Sequence, residues 1–369
     1  MPADARAATA APPRMSVGPL AWMRVNLFGS VKSTILTVLA VALIVSALPP
    51  LVRWAFVDAV WGAVGPDVCR AADGACWAFI HEKYRLILFG RYPYAEQWRP
   101  FAGILLMIAM IAVSCNRRFW RAWLGAFWVV GLAVFFALQW GGFLGLPYVA
   151  TNYWGGLTLT LILSVVGIVV AFPLGILLAL GRRSRMPVMR AFSVVYIEII
   201  RGVPLVSLLF MASFMLPLFL PVGVNIDAIL RAQIAIILFT SAYLAEVIRG
   251  GLQAIPRGQY EAAEALGLSF ALRMRKIILP QAIRTVIPPI VNSFISLFKD
   301  TSLVAIVSLT DLMLATRQAI ADPNWRAYFI EGYIFIALIY FAFCFFMSKY
   351  SQYLERRLRT GHYRREDMA

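Results

Sequence analysis

Charge is scarce in this chain. Only 14% of its 369 residues are Asp, Glu, Lys or Arg, against about 25% in a soluble domain. With 61% hydrophobic residues, where roughly 45–50% is usual, this excludes an ordinary soluble globule. Histidine is limited to His81 and His362, and there are 4 cysteines. No cluster has metal-ligand spacing, so no metal site is expected. No paired-carboxylate or nucleophile constellation points to an enzyme. The phosphate-loop pattern G-x4-G-K-[ST] is missing, so ATP binding of that kind has no basis here, and no cofactor is expected in this chain. The net charge of +16 is gathered into particular loops, which argues against a nucleic-acid partner.

What the chain does have is long apolar runs. About eight reach or approach the roughly 20 residues that cross a bilayer. They lie near 33–51, 101–115, 123–140, 157–180, 202–221, 232–248, 284–306 and 328–349. An all-α polytopic membrane protein is the expected fold class. The first run follows a long polar leader. Val45-Ser46-Ala47 faintly resembles a small-residue cleavage site, but the run is long enough to span, so an uncleaved anchor is expected.

Basic residues mark cytoplasmic loops. They collect in the leader (Arg6, Arg14, Arg24, Lys32), after the second span (Arg117, Arg118, Arg121) and after the fourth (Arg182, Arg183, Arg185, Arg190). They recur after the sixth (Arg249, Arg257, Arg273, Arg275, Lys276, Arg284) and in the tail. All fall on one side if both termini are cytoplasmic. The chain then divides into a leader at 1–32, three spans at 33–150 with an exported loop at about 52–100, a five-span part at 151–350, and a basic tail at 351–369. Cys69 and Cys76 lie in the exported loop, where a short-loop disulfide and two buried free thiols are both open. Cys115 and Cys344 read as small apolar residues within the membrane.

The cytoplasmic loop at 249–283 is the most specific feature. It contains EAAEALGLSFALRMRKIILP, starting at Glu261. Pro256 opens a short helix over Arg257–Leu266, and Gly267 suits the left-handed position that ends it. Ser269 is placed to cap a second helix over Phe270–Leu279, and Pro280 to mark the turn into the next span. Arg273, Arg275 and Lys276 are expected to face water or headgroups. Ala262 and Ala263 make a low-profile surface, and Glu261 offers a carboxylate to a partner. Taken alone, this could be an ordinary amphipathic hairpin on the membrane surface. The joint spacing of Glu261-Ala262-Ala263, Gly267, Ile277, Leu279 and Pro280 resembles the coupling loop of ABC-importer permeases. Tyr196-Ile-Glu198-Ile-Ile-Arg201-Gly202-Val-Pro204-Leu, Pro288-Pro289-Ile-Val-Asn292 and Lys299-Asp300-Thr301-Ser302-Leu303 resemble segments of the polar amino-acid branch of that family. Cys76-Trp77 and Phe89-Gly90-Arg91-Tyr92-Pro93-Tyr94 resemble its longer, broad-specificity L-amino-acid members.

The resemblance implies a five-helix permease core and a bacterial inner-membrane location. It implies a pair of ATP-binding subunits carrying ATP and Mg, a second, paralogous permease subunit, and a periplasmic amino-acid-binding protein. The expected function is ATP-driven import of L-amino acids. The alternatives are an ABC permease for another small polar solute, or an ion-coupled secondary transporter using Asp300, Asp311 or Glu331.

Ionisable groups near lipid mark paths, gates or partners. Glu198 and Arg201 are three apart and can pair on one helix face. Either Arg201 lies deep in a helix starting near Ala191, or both charges sit at the boundary of a span starting near Gly202; the latter is preferred. Lys299 and Asp300 could meet the two charged ends of an amino acid or pair with each other. Asn292 could line the same path, and Pro288-Pro289 suggests a broken helix beside it.

Overall fold

The computed structural model describes residues 18–121 and 123–366. Readings placed on residues 1–17 of the leader and on the last three residues of the tail lie outside the described residues. No strand occurs among them, and the chain divides into two compact units, Met1–Ala78 and Phe79–Ala369.

The first unit holds α1 (Pro19–Leu27), α2 (Val31–Val52) and α3 (Pro66–Arg70). The Ser30 hydroxyl caps α2 by accepting from the Ser33 N–H at 3.2 Å. Pro49 and Pro50 lie inside α2, and the helix continues as a wider π-turn over Arg53–Val57. Each proline lacks the N–H that would bond the carbonyl four residues back, so α2 gives up two of its hydrogen bonds there. No residue of α2 is buried. Of the two states open for Cys69 and Cys76, the structure has the disulfide: the two are bonded, with Cα atoms 5.6 Å apart. Gly74 sits inside this small ring because a β-carbon there would stand 2.0 Å from the Asp58 carbonyl oxygen.

The second unit runs from α4 (Ala78–Phe89) through α5 (Trp98–Cys115), α6 (Trp123–Trp140), α7 (Gly156–Arg182), α8 (Pro187–Gly202) and α9 (Leu205–Phe210). It continues with α10 (Ala228–Gln253), α11 (Arg257–Ala265), α12 (Phe270–Arg273), α13 (Leu279–Thr285), α14 (Ile287–Asp300), α15 (Leu312–Ile320) and α16 (Phe329–Glu366). Among the described residues, 7 helical stretches are long and apolar enough to cross a membrane. An eighth crossing results if the bent pair Pro187–Gly202 and Leu205–Phe219 is one broken span; its halves meet at 102°. The spans expected from hydropathy correspond to these stretches. The structure extends several past the basic residues at their ends, because helix geometry does not stop where hydrophobicity does.

The core forms where α7 lies along α10. Gly167, Ala171, Gly175 and Ala179 are spaced four apart on α7 and are buried. Small residues at that spacing let two backbones approach closely. The approach at Gly175 is near the limit: a β-carbon there would be 2.8 Å from Leu244 Cβ and 3.2 Å from the Ser241 carbonyl oxygen. At the opposite end from the arginine-rich loops, fully buried Arg99 joins α5 to the last turn of α6 and to the connection that follows it. It donates to the carbonyls of Leu138 (2.6 Å), Pro147 (2.9 Å) and Gln139 (3.2 Å).

Candidate functional site

The loop after α10 folds as a helical hairpin. Pro256 stands at the N-cap of α11 with φ −55°. Gly267 ends that helix at φ +71°. Its N–H donates to Glu264 O at 2.9 Å, and the Leu268 N–H donates to Ala263 O at 3.3 Å. These are the two bonds of a Schellman turn. Ala263 is buried on the inner face of α11, so of the two alanines expected to make a low-profile surface only Ala262 faces outward, beside Glu261.

Three further local expectations need correction. Ser269 occupies the N-cap of α12, but its hydroxyl caps nothing. Arg273 does not face open water: it turns back to Glu264 at 2.8 Å and ties the two arms together, with only 14% of its side chain exposed. The second arm does not end at Pro280. It passes through a π-turn at Met274–Ile278 and continues as α13 to Thr285, with Pro280 in the first turn of α13. The helical run carries past Pro280, and the change of direction falls at Val286 (φ −110°), ahead of Pro288-Pro289 at the start of α14. Ile277 and Leu279 are half-buried here and pack with buried Ile278 and Ala282 against Ile248 and Leu252 of α10. Sequence reasoning missed Leu266 (76% exposed) and Phe270 (56% exposed) beside the turn. Two large apolar residues flanking a glycine in a basic loop were the available signal.

The hairpin is fixed to the bundle by polar contacts. The Tyr260 hydroxyl donates to the Leu252 carbonyl at 2.9 Å. Arg183, at the end of α7, donates to the same carbonyl at 2.9 Å and to the Tyr260 hydroxyl at 3.0 Å. Next to it lies an ion cluster. Arg249 grips Glu246 through two hydrogen bonds of 2.5 and 2.9 Å. Arg182 bonds Glu198 at 2.8 Å and approaches Glu246 at 3.6 Å, and Arg201 reaches Glu246 at 4.0 Å. Glu198 and Arg201 therefore do not pair with each other. Each finds a partner on another helix, which joins the ends of α7, α8 and α10. Both charges lie in the last turns of α8, and the chain breaks at Val203-Pro204 directly after them.

On α14, Asn292, Ser296 and Lys299 are exposed along one face, while Leu297 and Phe298 are buried. Asp300 is only partly exposed. Consecutive helix residues point about 100° apart, so Lys299 and Asp300 diverge, and no ion pair joins them among the described residues. Asp311 is buried and serves as the cap of α15, accepting from the Met313 and Leu314 N–H groups at 3.0 Å each. Burial pushes its carboxyl up to about 6, against the opposing pull of those bonds. Its oxygens are thus committed to holding a helix end. Glu331 is buried in the first turn of α16.

A multi-pass helical bundle with an anchored hairpin at its arginine-rich end defines a membrane permease component. Residues 171–360 match the family of the binding-protein-dependent transport system inner membrane component, and the chain belongs to it. It is 49% identical over 349 residues to the inner membrane amino-acid ABC transporter permease protein YhdY of Escherichia coli (strain K12), covering 93% of this chain and 94% of that one. It is 42% identical to the glutamate/glutamine/aspartate/asparagine transport system permease protein BztC of Rhodobacter capsulatus, covering 95% of this chain and 96% of that one. A solved amino acid ABC transporter with histidines is 35% identical, covering 55% of this chain and 92% of that one, with a TM-score of 0.49. The family implies ATPase and binding-protein partners in general.

Proposed function

We propose that this chain is the permease subunit of an importer that carries L-amino acids inward across the bacterial inner membrane, driven by a separate pair of ATP-binding subunits. The single observation that carries the reading is the hairpin of α11 to α13. It is rigidly anchored through Tyr260 and Arg183, yet turns Glu261, Ala262, Leu266 and Gly267 outward. A small alanine, Ala262, beside a carboxylate and an apolar tip suits a protein groove better than lipid headgroups. The full-length likeness to two amino-acid permeases supports the substrate class.

Both termini lie on the arginine-rich, cytoplasmic side in this reading. The exposed polar face of α14, with Asn292, Ser296 and Lys299, lines the path. Polar groups on a spanning helix are stable only against a cavity or a partner; here the covering element is a second, paralogous permease subunit. A receptor outside delivers the amino acid, the ATPase pair pushes on the hairpin, and the ion cluster transmits that push to α7, α8 and α10.

The test is a single cysteine at Ala262 in the assembled complex. ATP-dependent uptake and a site-specific crosslink from residue 262 to a nucleotide-hydrolysing subunit are expected. Labelling of residue 262 from outside intact cells, or a purified transporting assembly lacking such a subunit, refutes the reading.

A further inference from the structure

Away from the hairpin, the arginine-rich end carries a second feature that the transport reading does not use. A cleft of about 590 Å³ opens between the end of α5 and the outgoing part of α16. Ala112, Cys115, Asn116, Arg118, Tyr353 and Arg357 line it, with no carboxylate among them. Its architecture is fixed. The Tyr350 hydroxyl donates to the Cys115 carbonyl at 3.2 Å and pins α16 to α5. The Asn116 side-chain oxygen accepts from the Arg118 N–H at 3.1 Å, which leaves the amide nitrogen of Asn116 as a donor. The Arg357 guanidinium lies over the Tyr353 ring at 5.0 Å.

The depth of the cleft is marked by aromatics. The Trp120 indole donates to the Ser114 carbonyl at 2.7 Å while its ring stays exposed. Trp123 makes an edge contact with Phe119 at 5.9 Å. Tryptophans of this kind sit at the headgroup level of a bilayer. On the helix faces that line the cleft, Ile108 and Leu105 stand one and two turns before Ala112 on α5, and Phe346 two turns before Tyr353 on α16, all of them exposed. Two guanidiniums, an amide donor and a phenol at headgroup depth, on the same helix faces as these apolar side chains, match the two ends of a phospholipid. A free anion would use only the first part. We infer that this cleft binds the phosphodiester headgroup of an anionic phospholipid, with its acyl chains along α5 and α16. Basic pockets between spanning helices on the cytoplasmic side are known in general to take such headgroups.

The test uses the full-length protein purified from membranes. Retained lipid is measured by native mass spectrometry after addition of phosphatidylglycerol, cardiolipin or phosphatidylcholine. Wild-type protein is expected to retain the two anionic lipids in preference to phosphatidylcholine. The double variant Arg118→Gln/Arg357→Gln is expected to bind them about 30-fold more weakly. The control Arg185→Gln/Arg190→Gln removes two exposed arginines from the same end, outside the cleft, and is expected to leave retention unchanged. Equal retention by the double variant overturns the assignment, as does an equal loss in the control. If the double variant does not fold, the wild-type preference decides: no preference for anionic lipid overturns the proposal. Saturable binding of inorganic phosphate without retained anionic lipid also overturns it, in favour of a free anion.

Discussion

Replacement of Gly267 by valine separates conformation from packing in the hairpin of α11 to α13. Gly267 has φ +71°, and a β-carbon built there meets nothing within 4 Å. The substitution therefore creates no clash with another helix, and its whole cost lies in the backbone. An L-residue in the left-handed region costs about 1–2 kcal/mol, and a branched β-carbon stands at the upper end. That converts to a roughly 5- to 30-fold shift away from the turn that orients Glu261 and Ala262. The expected order of effect is Gly267→Asn, then Ala, then Val, because asparagine tolerates this region best. ATP-dependent uptake in proteoliposomes should fall in that order, while the thermal unfolding midpoint of the purified permease stays nearly constant. Uptake unchanged in the valine variant would refute the reasoning. So would a fall in uptake that merely tracks loss of folded protein.

Three further outcomes are expected. Glu246→Gln leaves Arg182, Arg201 and Arg249 around a neutral amide; it should cost about 1–3 kcal/mol by thermal melting, and more than Glu198→Gln, whose carboxylate is 55% exposed. Gly175→Ile puts a β-carbon against Leu244 and the Ser241 carbonyl; overpacking of about 1–3 kcal/mol or more should appear as a lower yield of monodisperse protein, and a yield equal to wild type contradicts the close approach. The hydrogen bond from Lys83 holds the Asp322 carboxyl below its ordinary value. A depressed carboxyl stabilises the fold above its unfolded pKa of about 3.9 and loses that contribution as pH falls through the folded value. The melting difference between wild type and Asp322→Asn should therefore be flat at neutral pH and close only in strong acid.

The legible parts of this protein are those set by local chemistry. Gly267 was readable because a left-handed helix end calls for glycine whatever surrounds it. The spans were readable because the bilayer imposes a length on apolar runs. Tertiary choices were not readable. Glu198 and Arg201 share a helix face, yet each is claimed by another helix, since Arg182 and Glu246 become neighbours only once α7 and α10 pack. Ser269 has the right residue type and position for a cap, but its hydroxyl takes no part. The helix running past Pro280 was hidden because the π-turn that precedes it has no compositional mark. The disulfide stayed undecided until the geometry brought Cys69 and Cys76 together, because spacing says nothing about how two side chains meet.

The final helix, α16, runs for 38 residues without interruption. At about 1.5 Å per residue it measures roughly 57 Å, nearly twice the hydrocarbon thickness of about 30 Å. Such a rod behaves as an indicator needle. A rotation of about 10° around its midpoint swings either tip by about 5 Å. A dye placed near its far end would register rearrangements of the spanning region as displacements large enough to follow by energy transfer.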